Sequence, residues 1–184
     1  MCKKPHGRSF LRPRKRREWL RKRRQIAAGR QDMITITLEH PVQEELALLH
    51  ARHTEAMHAD TPPESIHMLP ADALAAPGIL FYVMREEGRP IGMGALKRID
   101  AGHAEIKSMH VLYELRGRGL ARMLLGHLVT EARAAGYARL SLETGSQGSF
   151  AAARGLYLAA GFETCPPFEG YRLDPMSVYM TIAL

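Results

Sequence analysis

Met33-Ile-Thr-Ile-Thr-Leu38 alternates apolar and polar side chains, the period of two that a half-buried strand requires. From about Val42 to His58 the period lengthens, and Leu46, Leu49 and His53 fall at helical spacing. Thr61-Pro-Pro-Glu-Ser65 breaks that helix, and a short helical piece is expected after Pro70-Ala-Asp. Strands are predicted over 79–86 and 90–99, joined by Glu87-Gly88-Arg89 as a hairpin. Further strands are predicted over 104–111, 139–144 and 177–182. Helices are predicted over 119–135 and 149–160, the second closed by Gly161. Strands outnumber helices, and antiparallel hairpins flank one parallel strand–helix–strand unit over 104–144. The fold class is therefore α/β with a mixed, mostly antiparallel sheet, and no internal repeat is present.

Charge divides the chain where the strand pattern begins. The net charge is +7, but residues 1–32 hold 13 Lys and Arg against Glu18 and Asp32, a net of +11. The remainder carries 13 basic and 17 acidic side chains, a net of −4. Residues 1–32 thus read as a basic extension and 33–184 as one domain, long enough for a sizeable core. A like-charge block such as Arg12-Pro-Arg-Lys-Arg-Arg17 repels itself and stays solvated. Three readings of it stand: an arm for nucleic acid or an anionic surface, a Ser-poor transit segment, or a stretch preceding a start at Met33. No apolar run approaches the roughly 18 residues of a membrane span, so no membrane partner is expected. Cys2 and Cys165 stand at opposite ends without a pairing framework, which fits a reducing, cytoplasmic setting.

Arg116-Gly-Arg-Gly-Leu-Ala121 lies between the strand ending at Val111 and the helix that follows. A basic, glycine-rich turn opening a helix is suited to a pyrophosphate. The first helical N–H groups lack intrahelical partners, and the helix dipole is positive at that end. Arg116, Arg118 and Arg122 add charge there.

Arg116-x-x-Gly119-x-Ala121, followed by Leu156-Tyr157-x-x-x-Gly161-Phe162, resembles the two signatures of the GNAT N-acetyltransferase family. The order of predicted elements is that family's as well, and the resemblance spans 33–184. The sequence is closer to small bacterial members that carry Glu105-Ile-Lys-Ser-Met-His110 and a Tyr171-x-x-Asp174-Pro ending. One departure is Phe150, where the family often has an asparagine that contacts the pantetheine.

The resemblance implies acetyl-CoA as co-substrate, no metal, and acetyl transfer to the amine of a small molecule or peptide by direct attack in a ternary complex. It implies that backbone groups of Met109, His110 and Val111 bond the pantetheine like an added strand. Arg116, Gly117, Arg118, Gly119, Leu120, Ala121 and Arg122 would hold the pyrophosphate. Glu105 would be the general base and Tyr157 the acid that protonates the departing thiolate. Strand alternation puts Glu105, Lys107, Met109 and Val111 on one face and turns the His110 ring away from Glu105. Glu143 ends its strand beside the cleft, either to read an amine or to cap the next loop. Segments 61–65 and 171–174 are candidate substrate loops, and a homodimer through the terminal strands is plausible within the family. His50, His53 and His58 lack the Cys or acidic partners of a metal site. The competing readings keep the fold but make the chain an acyl-CoA sensor, a nucleic-acid-associated module, or a transferase for another acyl donor.

Overall fold

The computed structural model describes residues 34–184; the basic extension 1–32 and Met33 lie outside the described residues. The elements run β1 (Ile34–Leu38), α1 (Ala47–His58), β2 (Ile79–Glu86), β3 (Arg89–Arg98), β4 (His103–Val111), α2 (Leu120–Ala134), β5 (Arg139–Gly145), α3 (Ala151–Ala159), β6 (Glu163–Thr164) and β7 (Ser177–Ala183). They form a seven-stranded sheet in the order β1-β2-β3-β4-β5-β7-β6. β4 and β5 run parallel, and β2–β3, β3–β4, β5–β7 and β6–β7 are antiparallel. This is the α/β class and the mixed, mostly antiparallel sheet that the hydrophobic pattern predicts.

The boundaries moved for local reasons. The stretch 44–46, expected inside the first helix, is a 3-10 turn feeding α1, and 148–150 does the same for α3. The piece after Pro70 is a 3-10 turn at Ala73–Ala75. The β2–β3 connection is a two-residue turn at Glu87 and Gly88, both with positive φ, so Arg89 already pairs with Glu86. The two-residue β6 was not predicted, since two residues show no period.

Two apolar layers sandwich the sheet. On one face Phe81, Val83, Met93 and Ala95 pack with Leu46, Leu49 and Leu74. On the other, Leu120, Leu124, Leu125 and Leu128 of α2 are buried, each worth roughly 1.5–3 kcal/mol. A Cβ at Gly94 would stand 3.0 Å from Leu128 Cδ1, so the missing side chain is what lets α2 lie that close.

Two irregularities shape the centre of the sheet. Met93 pairs with His110 and Ala95 with Lys107, so Ser108 and Met109 together oppose Gly94. Ser108 takes up this extra residue with φ +52°. Such a bulge reverses the alternation beyond it. The predicted shared face of Glu105, Lys107, Met109 and Val111 is therefore corrected. Beyond the bulge His110 joins Glu105 and Lys107 on the α1 face, where its ring lies 5.4 Å from that of His53. Met109 and Val111 turn to the α2 face. The second irregularity is a split: β4–β5 pairing ends at Ile106 with Leu142, and beyond that point the strands diverge.

Candidate active site

A cavity of about 110 Å³ fills the gap between the diverging strands. Ile106 to Met109 of β4 and Leu142 to Gly145 of β5 form its side walls. His53, Met57, Ser65, His67 and Met68 line it from the α1 side, and Phe150 with Ala153 and Tyr157 of α3 from the other. The opening therefore passes through the sheet. On the α1 side it meets a wider groove between 62–68 and 169–176, which shares Ser65, His67, Met68 and Met176.

Tyr157 is buried, and its hydroxyl points at Met109 Sδ, 3.9 Å away. Burial first, and then the charge of Glu143, push its phenol up to about 12, so it holds its proton at neutral pH. Glu143 is partly exposed on the cavity wall, and its Oε1 accepts a hydrogen bond from Ser177 Oγ at 2.7 Å. Burial raises its pKa against the opposing pull of Ser177, His67 and Lys107.

Glu105 sits elsewhere. Its side chain is fully buried and does not line the cavity. Tyr171 Oη donates to its Oε1 at 2.6 Å, and Lys107 Nζ stands 3.4 Å from the same oxygen. Lys97 Nζ is 3.8 Å from Oε2, which has no hydrogen bond. Lys107 also donates to Tyr171 Oη at 2.7 Å and to the His67 carbonyl at 2.9 Å. A second tie joins Lys97 to Glu169 at 2.8 Å. The network fastens the segments 62–68 and 169–176 to the sheet.

His53 and His110 stay neutral. Burial first, and then the neighbouring His110, His50 and Lys107, lower His53 to about 3. Burial and the Arg116 charge lower His110 to about 4. Among the described residues no group of three or more His, Cys, Asp or Glu is placed to hold a metal.

The basic turn is open. Gly119 caps α2 in the left-handed region at φ +81°, and Gly117 stands at φ +76°. Nothing lies within 4 Å of where their Cβ atoms would be. The first backbone bond of α2 runs from the Met123 N–H to the Gly119 carbonyl, so the amides of 117–122 have no backbone acceptor. Arg118 Nη1 donates to Glu86 at 3.0 Å, and Arg116 lies over the Tyr113 ring. Arg118 is thus already engaged, and the free amides are what the turn offers an anion.

Residues 45–162 match the family model described as the acetyltransferase (GNAT) family. The chain belongs to that family. It is 46% identical over 129 residues to YsnE of Bacillus subtilis, an uncharacterised N-acetyltransferase, a match covering 70% of this chain and 85% of that one. It is 40% identical over 150 residues to YedL of Escherichia coli, also an uncharacterised N-acetyltransferase, covering 82% and 92%. A crystal structure described as an acyl-CoA N-acyltransferase of Klebsiella pneumoniae superposes with a TM-score of 0.68 at 29% identity, covering 83% of this chain and 98% of that one. As a GNAT member the chain is an acyltransferase, with acetyl-CoA as co-substrate and an amine as acceptor. Its residues suit that co-substrate. The unpaired amides of 117–122 match a pyrophosphate, and beyond Ile106 the edge of β4 that would face β5 lacks a partner strand.

The sequence places Lys107 beside Glu105 on one strand face, Tyr171 in a candidate substrate loop and His53 on a helix face, but it does not bring Lys107 and Tyr171 together on Glu105. Lys107 shares a strand face with Glu105, and that period-two spacing was the available signal. Tyr171 lies 66 residues from Glu105, and nothing local marks the pairing.

Proposed function

We propose that this protein transfers the acetyl group of acetyl-CoA to the amine of a small molecule or peptide by direct attack within a ternary complex. The observation that carries this reading is the cavity through the split sheet, lined from both faces and bounded by Tyr157 and Glu143. Holding both reactants in such a passage supplies proximity, worth up to roughly 7–11 kcal/mol in well-oriented systems.

In this reading the amides of 117–122, with Arg116 and Arg122, hold the pyrophosphate. The free edge formed by Met109, His110 and Val111 takes the pantetheine as an added strand, and one N–H there faces the developing oxyanion. Tyr157 is the proton donor to the leaving sulfur. Glu105, to which the resemblance gives the base, reaches an amine only across Lys107 and Tyr171. Phe150 gives a ring where the family often has an amide, and it packs against Gly145. Cys165 is a free thiol outside the cavity, so no acetyl-enzyme forms there and the chain suits a reducing cytoplasm. Among the described residues no helix is long and apolar enough to cross a membrane. A homodimer through the terminal strands belongs to the same reading, and analytical ultracentrifugation tests it.

The deciding experiment is thiol release from acetyl-CoA by the full chain against amines, amino acids and peptides, with succinyl- and propionyl-CoA beside it. Amine-dependent release is expected. CoA binding without release from any donor and acceptor would turn the reading towards a sensor. Absence of CoA binding would overturn it.

A further inference from the structure

Two carboxylates stand near the split, and they differ in what they touch. Glu105 is sealed beneath the sheet surface, with Tyr171, Lys107 and Lys97 around it. Its charge is matched by two ammonium groups, and Tyr171 blocks one oxygen. Lys107 is spent as well, because its donors go to the His67 carbonyl, Tyr171 and Glu105. Glu143 is the carboxylate on the cavity wall. The one protein hydrogen bond it receives, from Ser177, holds Oε1. It also lies close enough to Tyr157 to act on that phenol electrostatically.

The rest of the wall restricts what the carboxylate meets. Met57, Ile66, Met68, Leu142 and Met176 present apolar surface, His53 is a neutral ring, and Lys107, the one ammonium in the lining, has its donors turned to the His67 carbonyl, Tyr171 and Glu105. A volume of about 110 Å³ admits a small apolar substituent beside an amine. A cation entering such a space finds Glu143 as its counter-charge.

We propose that Glu143 receives the acceptor ammonium and takes its proton, that the acceptor's amine-bearing end is a compact primary alkylamine, and that Glu105 is a positioning residue acting through Tyr171. The proposal rests on the acetyl-transfer reading. Its step balances as follows. Glu143 removes one proton from the ammonium and releases it to solvent. The neutral nitrogen bonds to the thioester carbonyl carbon, and the carbon–sulfur bond breaks. Tyr157 gives its proton to sulfur, and the second nitrogen proton restores Tyr157. The sum is ammonium plus acetyl-CoA giving amide, CoA thiol and one proton.

The raised proton affinity of Glu143 supports this role, since a base works best when its pKa approaches the working pH. The groups that face it are His67 from the 66–69 loop, Lys107 and Glu105 from β4, Ser177 from β7 and Tyr157 from α3.

The test uses two nearly isosteric acceptors with the full chain and acetyl-CoA: ethylamine, protonated at neutral pH, and trifluoroethylamine, already neutral. Glu143→Gln is expected to lower kcat/KM for ethylamine by about 100-fold or more, and for trifluoroethylamine by less than about tenfold. The limb that Glu143 sets in the ethylamine pH profile should give way to a rise that follows deprotonation of the amine itself, and Glu143→Asp should restore part of the rate. Glu105→Gln should weaken turnover of both amines alike, through KM. Equal losses with both amines in Glu143→Gln, or amine-selective loss in Glu105→Gln instead, would overturn the assignment. So would a wild-type enzyme that binds CoA and turns over neither amine. Failure to bind CoA at all would instead overturn the acetyl-transfer reading.

Discussion

Tyr171 donates its phenolic hydrogen to Glu105 Oε1 across 66 residues of chain, at 2.6 Å, and accepts from Lys107 on its other side. Burial, then the Glu105 charge, raises the Tyr171 pKa, so the hydroxyl stays a donor at every working pH. The contact locks the loop bearing Pro175 and Met176 against the central strand. It turns a buried carboxylate, costly if left alone, into an anchor.

Tyr171→Phe should therefore loosen the acceptor side without emptying the cofactor side. Loss of the shared hydroxyl leaves Glu105 Oε1 under-satisfied, at a cost of about 1–3 kcal/mol in denaturant unfolding. CoA affinity by calorimetry should be unchanged, while the acceptor KM rises. A weakened CoA site would show that the loop does more than hold the acceptor.

Tyr157→Phe keeps the packing and removes only the proton. Turnover should fall by roughly 100-fold or more, with CoA binding intact. In the proposed role Tyr157 acts as the phenol, a form lost only as pH rises through about 12. The wild-type rate should accordingly show no falling alkaline limb from this residue below about pH 11. A limb near neutrality that disappears in the variant would assign Tyr157 a different proton role.

At the cradle, Gly119→Ala forces an alanine to φ +81° with no clash against neighbouring atoms. Backbone strain of about 1–2 kcal/mol should appear in stability. The added methyl also stands where the anion would approach, so CoA affinity should drop by more than the strain alone explains. Unaltered CoA affinity would remove the turn from the binding site.

The buried histidines set an acid sensitivity. His53 and His110 are held neutral at about 3 and about 4 in the folded state, against an unfolded value near 6.5. Between those limits the unfolded chain binds more protons, so stability rises with pH there and is lost on acidification from about pH 6.5 towards about pH 4. Each histidine contributes up to about 1.4 kcal/mol per pH unit. The double variant His53→Gln, His110→Gln should flatten that slope in unfolding titrations, and an unchanged slope would place the sensitivity elsewhere.

Much of this was legible along the chain. The strand periods, the hairpin, the parallel unit and the basic turn are local patterns, and local patterns survive folding. That Glu105 and Met109 face opposite sides of the sheet was not legible, because one serine with φ +52° reverses the alternation and nothing in Ile-Lys-Ser-Met announces it. Glu143 was visible as a strand-end acid beside the cleft, with reading an amine and capping the next loop left as alternatives. Its position on the wall depends on how far β4 and β5 stay paired, which is a property of the whole sheet. Glu105 was singled out by motif position, and its burial under Tyr171 is a long-range contact that spacing cannot encode.

The early end of β4–β5 pairing at Ile106 and Leu142 also bears on traffic. In the proposed reaction, a passage lined from both faces of the sheet gives the amine and the thioester separate doors. Neither reactant has to wait for the other to settle, and neither product bars the other's exit. Steady-state patterns of random addition are the expected signature of that architecture.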